Sequence, residues 1–217
     1  MQRKENALAV AQTWNDVHAL NAAIRDELKN AGILKNDTRV VSWQAVDLTD
    51  AQKRDTRFYA AAGGVCFLCN YGRHQRGDFC AIVSADARGV TLCQSGCCKN
   101  GRDATIRYNH AATCLAPVRT REISLTRSDR LQLKFNGKSV ESTPIRNGEL
   151  VTVLRVMRDG RIRVRDDSGT RKTLSTEQRN FAHGYAVTTY ASQGKTVDTV
   201  LLHCASDEAK PAPVNRN

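Results

Sequence analysis

The sequence contains no run of apolar residues near the roughly 20 that a helix needs to cross a bilayer, and no charged segment followed by an apolar stretch opens it as a secretory signal would. These absences lead to the expectation of a cytoplasmic protein with no membrane partner. In that reducing compartment the eight cysteines are expected as thiols or metal ligands rather than disulfides. A third absence concerns nucleotides. Residues 190–198 read YASQGKTVD, and GKT ends a P-loop, but the full form G-x-x-x-x-G-K-S/T begins with a glycine that lets the backbone wrap its amides around phosphates. Thr189 stands in that place, and no other stretch qualifies. Gly194-Lys195-Thr196 is therefore not a P-loop by pattern, and any nucleotide it touches is held differently.

What the sequence does have is positive charge. Against 22 acidic residues stand 33 basic ones, a formal charge of +11, which exceeds what solubility requires and suits a polyanionic partner such as nucleic acid. With 217 residues and 41% hydrophobic composition, the chain is long enough for one or two domains with buried cores.

Leu8 to Ala11 (LAVA) is a short apolar run of the kind found in buried parallel strands. After it, Val17, Leu20, Ile24, Leu28 and Ala31 recur on one face of a predicted helix, with Thr13 and Asp16 spaced as a capping box and Gly32 placed to stop it. From about Arg39 to Leu174 the pattern becomes short strand-like segments punctuated by turns such as Gly63-Gly64, Asn100-Gly101, Asn147-Gly148 and Ser168-Gly169. Apolar runs return at Tyr185–Val187 and Val200–Leu202, flanking a possible helix at YASQGKT. The expected fold class is α/β with a β-rich insertion. Residues 1–38 and 177–217 form the α/β part, and residues 39–176 form one or two small β-barrels.

Residues 183–198, HGYAVTTYASQGKTVD, resemble motif V of superfamily 1 helicases of the RecD type, in the version found in conjugative relaxase-helicases of the TraI/TrwC (MobF) type. The opening LAVAQTWNDVHALNAAIRDELKNAGIL resembles the start of the second RecA-like domain in that family. Ser128-Asp129-Arg130-Leu131 and the RNGELVTV of residues 146–153 resemble turns of its inserted barrel. The resemblance covers nearly the whole chain and is weakest from Gly63 to Val118. It implies a partial RecA-like fold, the second domain of a P-loop NTPase pair, interrupted by SH3-like barrels. It also implies a function: the C-terminal portion of an ATP-dependent DNA helicase of a conjugative relaxase, coupling ATP to single-stranded DNA translocation in plasmid transfer.

Carried over by resemblance, Thr188, Tyr190 and Ser192 would face single-stranded DNA, and Gln193, Gly194, Lys195 and Thr196 would lie towards ATP. The family usually carries His where Tyr190 stands; a phenol stacks on a base or bonds a phosphate but lacks the imidazole's charge. Neither Walker A nor acidic Walker B is seen, nor the relaxase's histidine cluster and nucleophilic tyrosines. Residues 212–217 resemble the lead-in to motif VI, whose arginine senses the γ-phosphate. The isolated chain is accordingly expected to hold no catalytic residue and no cofactor, with ATP and Mg²⁺ belonging to the full-length parent. The expected partners are single-stranded DNA and the parent's missing RecA-like half.

Arg161, Arg163 and Arg165 alternate with Ile162 and Val164, which places three guanidinium groups on one strand face, suited to DNA phosphates and equally to a solvated surface. Arg119, Arg121, Arg127 and Arg130 form a second basic cluster. Among the cysteines, Cys66-x-x-Cys69 is half of a zinc site by spacing, yet in a strand its two thiols point to opposite faces, and Cys97-Cys98 lacks the usual spacing. No metal ligand is assigned. The alternative function is a stand-alone, non-enzymatic module that binds DNA or protein, its β-rich part stabilised by zinc.

Overall fold

A computed structural model describes residues 7–46, 48–72, 74–93 and 104–204. The first strand, β1 (Ala7–Ala11), leads into α1 (Trp14–Asn30). The helix begins with the expected capping box: the Thr13 hydroxyl accepts the Asp16 amide at 3.2 Å and donates to the Asp16 carboxylate at 2.7 Å. Its buried positions are Val17, Asn21 and Arg25, whereas Leu20, Ile24 and Leu28 are only half-buried and Ala31 is exposed. The buried stripe is thus rotated from the predicted apolar face, because Asn21 and Arg25 are drawn inward by hydrogen-bond partners described below.

Next come β2 (Thr38–Ala45), a 3₁₀ turn at Gln52–Arg54, α2 (Thr56–Ala60), β3 (Gly64–Phe67), β4 (Phe79–Asp86), β5 (Gly89–Leu92), β6 (Ala104–Ile106), α3 (Tyr108–Cys114) and β7 (Leu115–Leu125). Their strands form a six-stranded antiparallel sheet in the order β2-β7-β3-β4-β5-β6. After them run β8 (Arg130–Leu133), β9 (Gly137–Lys138), β10 (Pro144–Ile145), β11 (Leu150–Val156), β12 (Ile162–Asp166), β13 (Arg171–Leu174) and β14 (Phe181–His183). The short β9 and β10 pair with each other, and the rest form a five-stranded antiparallel sheet in the order β13-β12-β11-β8-β14. The last described elements are β15 (Ala186–Thr188), α4 (Thr189–Ser192) and β16 (Thr199–His203).

The insertion differs from the expected barrels: its sheets are open, and none closes on itself. Closing the five-stranded sheet would require β13 to reach β14, but β14 is met by β2 instead. The Trp43 amide donates to the Arg179 carbonyl, and the Ser42 hydroxyl to the Phe181 carbonyl. Each sheet nevertheless has its own core. One gathers Leu131, Leu133, Val153, Ile162, Val164 and Phe181; the other gathers Tyr59, Val65, Phe67, Leu92, Ile106 and Leu115.

The first and last described strands meet as expected. β15 and β16 flank β1 in a three-stranded parallel sheet, with Ala9 opposite both Ala186 and Leu201. A small cluster of Leu8, Val10, Val187 and Leu150 packs this sheet against the insertion. The described turns do not include Asn100-Gly101, and the motif VI lead-in at 212–217 also lies outside the described residues.

Candidate functional site

Because the three strands are parallel and Ala11 lies opposite Thr188 and His203, their carboxyl ends share one edge. Open α/β sheets bind ligands at that edge. The predicted residues gather there in a single turn. Thr188 caps α4, its hydroxyl accepting the Ala191 amide at 3.3 Å. The Thr189 hydroxyl reaches the Ala11 carbonyl at 3.4 Å, and Ser192 donates to the Thr189 carbonyl at 2.7 Å. Tyr190 projects with 84% of its surface exposed, and Gln193 and Thr196 are exposed as well. Gly194 takes φ +73°, and nothing lies within 4 Å of where a Cβ would stand, so its backbone is open to close approach.

Lys195 is the exception. Its ammonium donates to the Gly148 carbonyl at 2.6 Å, and burial pulls its pKa down. The side chain fastens this turn to the Asn147-Gly148 turn of the insertion and is not free beside Gly194. Sequence reasoning missed His203, which ends β16 at the same edge and stands 3.8 Å from Asp16.

Three buried devices hold the turn's lead-in strand. The Asn21 amide acts as a clip: its oxygen accepts the amides of Tyr185 and Ala186, and its nitrogen donates to the Ala186 carbonyl. Gly184 passes so close to β8 that a Cβ there would stand 2.8 Å from the Gln132 nitrogen, which explains the glycine of HGYAVT. Finally, Asp129, wholly buried, accepts two hydrogen bonds from the Arg25 guanidinium, one from the Thr126 amide and one from the Tyr185 hydroxyl. Burial, then this hydrogen bond, pushes the Tyr185 pKa upward. Arg25 also pairs with Asp37. Helix, insertion and lead-in strand are thereby locked through one carboxylate.

On the outer face of the five-stranded sheet, Arg163 and Arg165 stand exposed on β12 while Ile162 and Val164 are buried beneath. Arg161 falls just before the strand and is paired with Asp159 at 2.6 Å. Two further arginines join the face. Register places Arg155 of β11 opposite Arg163, and Arg171 of β13 opposite Arg165; both are exposed. No described ion pair engages any of these four. Like charges directly opposite repel, and an anion against this face would relieve that repulsion. The second predicted cluster divides: Arg119 and Arg121 lie exposed on β7, Arg127 is exposed, and Arg130 is bound to Asp167 at 2.9 Å.

The described cysteines do not converge in the manner of a zinc half-site. Cys66 is buried beside Trp43 and Val118, and burial raises its thiol to about 11. Cys69 instead meets Cys114, sulfur to sulfur at 2.9 Å. No group of three or more potential metal ligands occurs among the described residues; Cys97 and Cys98 lie outside them.

Fold and site together define a mixed α/β protein rich in strand, with a ligand-accessible edge and an arginine face. No helix among the described residues is long and apolar enough to cross a membrane. No protein-family model matches the chain, and no curated protein matches it.

Proposed function

We propose that the chain is the motif V portion of a superfamily 1 DNA helicase of the conjugative relaxase type. In this reading residues 7–30 and 186–203 are part of its second RecA-like domain, and the open antiparallel sheets take the place of the inserted barrel. The reading rests on one observation above others: the Thr188–Thr196 turn stands at the carboxyl edge of a parallel sheet, with Tyr190 exposed and Gly194 unobstructed. Thr188, Tyr190 and Ser192 meet the DNA strand, and Gln193, Gly194 and Thr196 face ATP held by the parent's other half. Lys195 acts by tying the turn to the insertion. ATP and Mg²⁺ belong to the whole motor, and movement along single-stranded DNA in plasmid transfer is its work. Support also comes from β16, whose exposed Val200, Leu201 and Leu202 leave room for further layers of an α/β body.

Photo-crosslinking with an azido-ATP tests this. Label is expected on the Tyr190–Thr196 peptide only when the ATP-binding half is added. DNA-stimulated phosphate release from the chain alone, or no label in the mixture, defeats the motor reading.

The arginine face favours a second reading, a stand-alone module that holds single-stranded DNA. Alanine at Arg155, Arg163 and Arg165 together is expected to flatten the salt dependence of oligonucleotide binding by about two to three units of slope. Such a loss without any nucleotide crosslink selects the module.

A further inference from the structure

Between α1 and the β2–β7 ribbon, with β8 and β14 as its floor, lies a cleft of about 830 Å³. Neither the Thr188–Thr196 turn nor the arginine face accounts for it. Its lining combines an indole with positive charge. Trp14 opens α1 with 47% of its surface exposed, and Lys134, one residue past β8, holds its ammonium 3.9 Å from the centre of the indole ring. Across the cleft, Arg119 and Arg121 project from β7, directly opposite Gln44 and Ser42 of β2. None of the described ion pairs engages Lys134, Arg119 or Arg121.

Burial pulls the Lys134 pKa down to about 8. The indole face offsets part of the cost of desolvating that ammonium, yet among the described residues no carboxylate completes the offset. The acids of the lining are placed elsewhere. Asp26 lies roughly 18 Å further along α1 than Trp14, by the helical rise, and Glu122 turns to Arg39 at 4.0 Å. An anion entering the cleft therefore supplies the pairing that the fold withholds.

We propose that this cleft binds a nucleotide unit, its phosphate against Lys134, Arg119 and Arg121 and its base against the exposed side of Trp14. The same contacts serve a free nucleotide and one unit of a single strand. Phosphate alone satisfies the cations, but it does not explain an indole held at the mouth of a positively charged cleft; a base stacked on that ring does. The site does not depend on the motor reading, since it uses none of the residues of the Thr188–Thr196 turn.

Tryptophan fluorescence of the full chain, titrated separately with AMP and with a short oligothymidylate, tests the proposal. Saturable quenching is expected from at least one probe, and Lys134→Met is expected to weaken it about tenfold or more, the worth of one charge-assisted hydrogen bond. Arg119→Ala with Arg121→Ala, both exposed, gives a second variant whose folding is not at risk. A response to AMP identifies a free nucleotide as ligand, and a response to the oligonucleotide alone identifies the strand. In the native protein the affinity falls as pH rises through and above 8, as the ammonium loses its proton; Lys134→Arg removes that fall. His18 and His183 face the same space from α1 and β14, but burial holds both below the ordinary histidine value. They are neutral already; Arg25, whose hydrogen bonds to Asp129 and Asp37 hold its pKa up, stays charged, and Asp26 and Glu122 are the other ionisable groups of the lining. No saturable response from either probe, or native affinity in Lys134→Met, overturns the proposal.

Discussion

Two strands of similar composition meet opposite fates in this molecule. β11 reads LVTVLRV and β16 reads TVLLH. In β11, Val151 and Val153 are sealed from water by Leu131, Ile162 and Phe181. In β16, Val200, Leu201 and Leu202 are all exposed, Leu201 by 59%. The first strand is central in an antiparallel sheet whose buried side chains cluster with Leu125 of β7, Phe135 and Ile145 of β10; the second is the edge of a parallel sheet. Parallel sheets are ordinarily covered on both faces, and an exposed apolar edge is a surface waiting for a partner. An apolar run in a sequence thus states what a strand requires, and only the surrounding layers decide whether the requirement is met.

The most severe way to disturb this contrast is at the point where the two regions lock together. Replacing Asp129 by alanine leaves the Arg25 guanidinium buried without its bidentate partner and strips the Tyr185 hydroxyl and Thr126 amide of their acceptor. The expected loss is about 3–5 kcal/mol, read from the urea midpoint. Asp129→Leu combined with Arg25→Met should recover much of it, because removing both charges removes the desolvation cost. A loss under about 1 kcal/mol in the alanine variant would mean that the carboxylate does not join end-built sheet and insertion.

A matched pair sharpens the contrast itself. Leu131→Ala empties a fully buried site and is expected to cost about 2–5 kcal/mol, whereas Leu201→Ala should change stability by less than about 0.5 kcal/mol. Both are measured by thermal or urea unfolding at several protein concentrations. A large, concentration-dependent cost at Leu201 would show that copies of the chain cover β16 in solution.

The strands of the insertion were largely legible, because Val65–Leu68, Leu150–Val156 and Ile162–Val164 carry unbroken apolar or alternating runs close to the observed β3, β11 and β12. The longest pairing, β2 with β7, was not. LAPVRTREISL mixes a proline, two arginines and a glutamate into a ribbon lined on one side by the cleft, so its pattern is that of a surface rather than a core. The arginine face was read only in part for a local reason. The register slips between Val153 and Arg155, and this bulge turns Arg155 outward, where strict alternation would have set it beside Val153. Nothing local marks Asp129 as the partner of Arg25, since 104 positions separate them. The closing turn was the most legible part of the candidate site, though Lys195 is spent on Gly148, a contact that only tertiary packing reveals.

An effect smaller than those at Asp129 and Leu131 is expected in the turn that presents Asp129. Ser128 holds φ +75°, a left-handed conformation, while its amide donates to the Val153 carbonyl at 2.8 Å. A side chain there costs about 1–2 kcal/mol, and a glycine would relieve this at an entropic cost of about 0.5–1 kcal/mol in the unfolded chain. Ser128→Gly should therefore stabilise by at most about 1.5 kcal/mol, which for a chain of this size raises the melting temperature by about 3–6 °C at the upper limit. Gly194, at φ +73° beside the exposed edge, supplies the reverse experiment. Gly194→Ser should lose a similar amount, and with no atom within 4 Å of the new Cβ the loss is conformational rather than steric. Opposite signs at the two positions follow if the backbone is equally constrained in both regions. A neutral Gly194→Ser beside a stabilising Ser128→Gly would mean that the turn at the carboxyl edge relaxes where the insertion cannot, which is how a segment that must respond to a ligand ought to behave.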